Sequence, residues 1–324
     1  MKHPLLKPMV MALSLACTQA MSATKTEPPL VDLGAEMKAK SGDLSKPSDY
    51  QSPNTAYPAN TSMQQEAKVD DVKAEKQKGL KEEKVHWSYS GDTGPKHWGD
   101  LSTENSTCKA GKNQSPIDLR DKSGIGTTGL PQLDIHYRDV PYKVINSGHT
   151  LQVNYPLGSY IQVGSRRYEL MHFHFHTQSE HKKEGFNYPM EVQLVHKDGD
   201  DNFAIMGILF QEGEFNEQIQ TVLDHLPKKI GKQEIYKSVR LNPVMFMPGN
   251  TEFYKYSGSL TTPPCTEGVY WMVFKHTIEA SAEQIQQMNE VMGENSRPVQ
   301  VMNARGLLKS WADQLQEPPM YEFY

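Results

Sequence analysis

Histidine and phenylalanine alternate in Met171-His172-Phe173-His174-Phe175-His176, and this stretch constrains the fold more than any other. A strand turns successive side chains to opposite faces. The three imidazoles therefore share one face, and the two phenyl rings share the other. Imidazole is a good nitrogen donor for zinc, whose sites use three or four such groups, so the polar face reads as one wall of a metal site. Residues four apart on a strand are separated by about 13 Å. His172, His174 and His176 cannot readily chelate one ion together, and a ligand from a neighbouring strand is expected.

The surroundings of this strand also read as β-structure. Short alternating runs recur at 133–137, 142–146, 151–155, 160–163, 169–175, 190–196, 203–210, 252–257 and 270–274. Turn residues separate most of them, such as Pro156-Leu157-Gly158 and Asp198-Gly199-Asp200. Many short strands with close turns predict a mainly β fold with a large, twisted, mostly antiparallel sheet. Two peripheral helices are predicted. One covers 214–226, with Phe215, Ile219, Val222 and Leu226 near helical spacing. The other covers 281–292 and opens on Ser-Ala-Glu-Gln, a capping-box pattern.

Composition divides the chain. Hydrophobic residues make up 37% of it, low for this length, and the deficit lies in residues 24–84, which are rich in Lys, Glu, Ser, Pro and Ala. That segment cannot bury enough apolar surface to offset ordering and is expected to be a disordered, charged linker. Residues 1–23 have a basic start (Lys2, His3, Lys7), a short apolar run and small residues at Ala20, Ser22 and Ala23. The run is too short to span a bilayer, so a cleaved signal peptide is expected and the mature chain carries no transmembrane segment. The expected location is periplasmic or secreted. Lipid attachment at Cys17 is the less favoured alternative, because Ser14 stands where a lipobox usually has leucine. Cleavage leaves Cys108 and Cys265, which an oxidising compartment would pair; two free buried thiols are the alternative. A net charge of −5 provides no basic field for nucleic acid.

Five motifs then occur in order within residues 85–324. They are Gly111-Lys112-Asn113-Gln114-Ser115-Pro116-Ile117, Asn146-Ser147-Gly148-His149, His174 through His181, Glu191-Val192-Gln193-Leu194-Val195-His196, and Gly258-Ser259-Leu260-Thr261-Thr262-Pro263-Pro264. Together they resemble the α-class carbonic anhydrases, particularly the exported bacterial ones. The resemblance implies a single domain of that fold, a Zn2+ cofactor, carbon dioxide and bicarbonate as small-molecule partners, and reversible hydration of CO2. A homodimer is allowed by the sequence and not required by it.

The resemblance also implies roles. His174 and His176 match two zinc ligands. Thr261 matches the residue that orients the attacking hydroxide, and Glu180 the carboxylate that accepts from that threonine. Thr262 matches its neighbour in the substrate site. His149 matches the proton shuttle, a role suited to an imidazole titrating near neutrality. Tyr89, Asn146 and Ser147 fall near the water chain. Val195, Ile205, Leu260 and Trp271 match the apolar wall for CO2, and Glu191 matches the carboxylate that orients the third ligand. Cys108 and Cys265 match a disulfide that would pin the loop carrying Thr261. His181 matches a buried structural histidine.

One position departs from the pattern. Gln193 stands where the family has its third zinc-binding histidine. His172 stands two residues before the first ligand, where the family has a glutamine that hydrogen-bonds it. The two residue types are exchanged. A glutamine oxygen is a neutral and weaker donor than imidazole, and Glu191 is expected to accept from the Gln193 amide only after rearrangement. Three arrangements follow: zinc held weakly by His174, His176 and Gln193; His172 moving in as third ligand, against strand geometry; or loss of the metal, leaving a non-catalytic binding or structural protein. His196 has the wrong parity to substitute.

Overall fold

Strands that alternate apolar and polar residues need a neighbour on each side, and here they find one another in sequence order and across it. The structure, a computed structural model, describes residues 86–313. The predicted signal peptide, the linker and Cys17 lie outside the described residues. Ten strands form the main path of the sheet: β1 (Gly124–Gly126), β2 (Val140–Asn146), β3 (Leu151–Asn154), β4 (Arg166–His176), β5 (Met190–Lys197), β6 (Phe203–Glu212), β7 (Glu234–Leu241), β8 (Phe253–Ser259), β9 (Glu267–Phe274) and β10 (Leu307–Lys309). Their spatial order is β7-β2-β3-β4-β5-β6-β9-β8-β10-β1, within a sheet of thirteen strands among the described residues. Most pairs are antiparallel; β6 with β9 and β10 with β1 are parallel. The expected class is therefore the observed one, with a mixed sheet.

Each apolar run predicted as a strand is found as one. The short edge and terminal strands escape the alternation criterion. β7 is the clearest case: it lies at the edge of the path, has half of its residues exposed, and its pairing shifts between Tyr236 and Arg240. Both predicted helices form, as α1 (Glu217–Asp224) and α2 (Ala282–Met292). The Ser281 side chain accepts from the Gln284 N–H, and the Gln284 side chain accepts from the Ser281 N–H, closing the capping box. Asn216 caps α1 from the β-region, accepting from the N–H groups of Gln218 and Ile219.

The sheet has a core on each face. One contains Phe173, Phe175, Val192, Leu194, Met206 and the buried side of both helices. The other contains Val195, Ile205, Tyr256 and Trp271, with Leu260 at its margin. β4 contributes to the first core with Tyr168 and Leu170, then with Phe173 and Phe175. Even positions give way to odd ones because Met171 is an extra residue. Val195 pairs with His172, whereas His196 pairs with Leu170, so Met171 has no opposite number on β5. This β-bulge lets β4 keep its apolar side inward while presenting His172, His174 and His176 together on the other face. No helix among the described residues is long and apolar enough to cross a membrane.

Candidate metal centre and its surroundings

The histidine face is built by two adjacent strands. Within β4 and β5, His174 pairs directly with Gln193, and His176 with Glu191. Directly opposed residues share a face, so His172, His174 and His176 meet Glu191, Gln193 and Val195. His196 lies on the opposite face, where Nε2 is 2.6 Å from the Tyr137 hydroxyl and Nδ1 is 3.2 Å from the Ala204 carbonyl. On the far side of β5, Gly207 pairs with Gln193. A Cβ there would come within 3.0 Å of Glu191 Oε1, so glycine leaves room for the buried carboxylate.

His176 is fixed by the chain beyond α2. Its Nδ1 donates to the Asn295 carbonyl at 2.8 Å. Its Nε2 is buried, has no hydrogen-bond partner among the described residues, and lies 3.4 Å from Glu180 Oε2. His174 leaves its own buried Nδ1 without a partner. Burial holds its pKa well below 6.5; the neighbouring rings of His176 and His172 push the same way, and a side-chain hydrogen bond with Gln193 opposes them. Burial also lowers His172, to about 4. These rings are thus kept neutral, the form that can ligate a metal.

Gln193 is fully enclosed. Its Nε2 donates to Glu180 Oε2 at 2.9 Å and to Glu191 Oε1 at 3.1 Å. The rearrangement expected for Glu191 is unnecessary, since it already accepts from the Gln193 amide. It accepts as well from the N–H groups of Glu180 and His181 and from His181 Nδ1. Burial alone would raise the Glu191 carboxyl; the charge and hydrogen bonds of His181, with His176 beyond, outweigh it and hold the pKa below 4.5. Glu180 Oε1 accepts from the Arg297 N–H at 3.0 Å. Both Glu180 oxygens therefore have donors, and neither donor is the Thr261 hydroxyl.

Thr261 is nearly buried, in the turn after β8. The Cys265 N–H donates to the Thr262 carbonyl at 2.9 Å, and the Leu260 N–H to the Thr266 carbonyl at 3.0 Å. Cys265 is bonded to Cys108, with Cα atoms 5.0 Å apart. The buried Arg297 guanidinium donates to the Cys108 carbonyl, the Ser115 carbonyl and Gln114 Oε1. The Gln114 amide reaches the Cys265 carbonyl. Disulfide, Arg297 and the Gln114-Ser115 segment thus clamp the turn that carries Thr261 and Thr262. A Cβ at Gly258 would strike Ser115 Oγ at 2.1 Å, so glycine permits this close approach.

His149 occupies the turn between β2 and β3. Its ring stacks on Trp87, with centroids 4.5 Å apart, and faces His86 at 5.4 Å and Tyr89 at 5.9 Å. Burial first, and His86 second, lower its pKa from 6.5 against a hydrogen bond involving the Trp87 backbone. Asn295 joins this turn to the histidine strand: its Nδ2 donates to the carbonyls of His149 and Phe175, and its Oδ1 accepts from the Thr177 N–H. Asn295, Arg297 and His86 had escaped the sequence reading. The first two act largely through main-chain and long-range contacts, and only the string Asn295-Ser296-Arg297-Pro298, irregular after a helix, could have pointed to them. Val195, Ile205, Leu260 and Trp271 come together as one apolar surface, with Ile205 the register partner of both Val195 and Trp271.

The family model for eukaryotic-type carbonic anhydrases matches residues 93–311. The chain belongs to that carbonic anhydrase family. A carbonic anhydrase of Nostoc sp. is 40% identical over 228 residues, which cover 70% of this chain and 86% of the relative. The α-carbonic anhydrase of Thermovibrio ammonificans, solved with the inhibitor sulfanilamide, is 42% identical with a TM-score of 0.66, covering 69% of this chain and 98% of that one. A dioscorin solved with ascorbate is 31% identical with a TM-score of 0.64, covering 72% of this chain and all of that one. Among the described residues no three His, Cys, Asp or Glu side chains form a metal-holding group. On the histidine face, Gln193 stands opposite His174.

Proposed function

We propose that the chain catalyses the zinc-dependent, reversible hydration of carbon dioxide to bicarbonate and a proton, with the ion held more weakly than by three imidazoles. The observation that carries this reading is His176 Nε2. Its partner nitrogen donates to Asn295, so Nε2 bears a lone pair, buried and without a donor. Such an unmet acceptor is costly, and a cation would satisfy it. His174, His176 and the Gln193 carbonyl oxygen fit zinc as a neutral, weak set of three donors. When bound, zinc would supply a water acidified to near pH 7, a magnitude established for carbonic anhydrases themselves.

The remaining roles belong to the chain. Glu191 and Glu180 hold the Gln193 amide nitrogen and so turn its oxygen the other way. Glu191 and His172 stand behind the ligands. Thr261 and Thr262 line the substrate position on a turn that the disulfide keeps in place. Val195, Ile205, Leu260 and Trp271 exclude water and accept apolar CO2. His149, facing Trp87 and His86, carries the proton outward. The features of residues 1–23 support export to the periplasm or medium, where a disulfide persists.

A second reading is a binding protein without catalysis. It is favoured by the Gln193 amide nitrogen, which is satisfied by two carboxylates without an ion. The dioscorin relative was solved with ascorbate, and a small organic anion is the corresponding ligand class here. Metal content and CO2 hydration, measured together on zinc-saturated protein, separate the two. Below about a tenth of an equivalent at micromolar zinc, a threshold scaled to a 10–100-fold affinity loss, the enzymatic reading fails.

A further inference from the structure

One edge of the sheet carries a charge opposite to that of the whole chain. In β7 and the loop before it stand Lys228, Lys229, Lys232, Lys237 and Arg240, all exposed, against a single carboxylate, Glu234. Residues 228–240 thus carry +4 in a chain of −5. Both Glu234 oxygens have other donors: Oε1 accepts from the Lys228 main-chain N–H at 3.0 Å, and Oε2 from the Tyr236 hydroxyl at 2.9 Å. Two aliphatic side chains stand among the cations. Ile230 is 71% exposed and Ile235 is 49% exposed. Ile230 is held out by a defined turn. The Lys232 N–H donates to the Lys229 carbonyl at 3.3 Å, with Ile230 and Gly231 at the corners. Gly231 takes a left-handed φ of +75° there, which favours glycine. Its N–H donates to the Asn146 carbonyl at 2.7 Å and anchors the turn to the end of β2.

Cations on an edge strand deter pairing with a second sheet edge, which accounts for Lys237 and Arg240. It does not account for Lys228, Lys229 and Lys232, which precede the strand, or for the aliphatic tip between them. A soluble polyanion would use the lysines and leave Ile230 in water. We propose that this turn and edge are a docking surface for an anionic lipid bilayer, with Ile230 entering the headgroup boundary and Lys228, Lys229 and Lys232 meeting the lipid phosphates. Cations around an apolar tip are the composition that rests at a bilayer interface. Each cation near an anionic leaflet strengthens binding about 5-fold, within a screening length of roughly 8 Å. Lys237 and Arg240 extend the same field along the edge. Docking would bring the His149 turn beside the lipid, because Asn146 directly precedes that turn and a Cβ at Gly148 would come within 3.3 Å of Ile230. The inference does not depend on zinc.

Co-sedimentation of the full chain with vesicles tests this, using equal parts phosphatidylglycerol and phosphatidylcholine against phosphatidylcholine alone. Wild type should bind the anionic vesicles, leave the neutral ones, and be released as salt rises. The triple change Lys228→Gln, Lys229→Gln, Lys232→Gln should lower the partition coefficient about 100-fold. Ile230→Ser should lower it about 10-fold and keep the salt dependence. All four positions are exposed, and unchanged unfolding midpoints check that the fold is kept. Absence of binding, or equal binding to both vesicle types, overturns the proposal. So does unchanged binding in both variants, the result expected if residues 1–85, which both retain, attach the chain. If the lysine changes abolish binding while Ile230→Ser binds like wild type, the cations serve a soluble polyanion and the bilayer assignment is overturned as well.

Discussion

Gln193 Nε2 lies 2.9 Å from Glu180 Oε2, so the residue proposed as the third zinc ligand is bonded to the carboxylate expected to serve Thr261. Restoring imidazole by Gln193→His should free Glu180 and supply a stronger donor at once. Zinc should bind at least about 10-fold more tightly, and CO2 hydration should rise. Unchanged values in chelator competition and stopped-flow assays would show that Gln193 does not face the ion. Gln193→Leu, similar in size, should lower stability by about 1–3 kcal/mol, because two buried carboxylates lose a donor.

The Asn295 side chain binds three backbone groups from two remote segments, at His149 and at Phe175 and Thr177. Asn295→Ala should cost at least about 2 kcal/mol in denaturant unfolding, since buried peptide groups lose partners. Loss of the bond to the His149 carbonyl should also lower the proton-release rate. A variant as stable as wild type would show that water replaces the amide without penalty.

His149→Ala should slow turnover most in weak buffer, where no external base replaces the imidazole. Equal rates in weak and strong buffer would remove His149 from proton transfer. Because His86 helps to lower the pKa of His149, His86→Ala should raise it, as followed by NMR titration.

Acid should destabilise the fold through His196. Burial pushes its pKa to about 3, below the roughly 6.5 of an unfolded histidine. The unfolded state then binds more protons between these values. Stability is fully present above about pH 6.5 and is lost as pH falls toward about 3, at up to about 1.4 kcal/mol per unit. His172, lowered to about 4, adds to the same window. In denaturant titrations His196→Gln should flatten this slope; an unaltered slope would exclude His196 as a source.

Reduction of the disulfide Cys108–Cys265 opens a link between residues 157 apart. The chain-entropy model gives a loss of about 5 kcal/mol before native strain is counted. Unfolding midpoints with and without reductant measure it. An accompanying fall in CO2 hydration by zinc-saturated protein would show that the clamp also holds the Thr261 turn.

Central strands were legible in the sequence because both faces are buried against different surroundings, as His172 to His176 illustrate. The edge strand Glu234–Leu241 was not, since exposure relaxes the alternation that gives a strand away. At the site, the resemblance put Gln193 and Glu191 on a strand next to the histidines, and the structure pairs them with His174 and His176. The direction of the Gln193 amide was not legible. It depends on which carboxylate oxygens remain unclaimed, and that depends on main-chain donors such as the Arg297 N–H.

The unpaired Met171 gives the strand two phases. Before it, even-numbered side chains point to the helix-backed core; after it, odd-numbered ones do. Any chemistry on the histidine face is therefore written by a count of residues as much as by their kinds. Removing this one exposed methionine would leave every histidine in the chain, yet drive either the imidazoles into hydrocarbon or Tyr168 and Leu170 into water. Relatives that differ by a single insertion or deletion near this point would stand further apart in function than others differing at many surface positions.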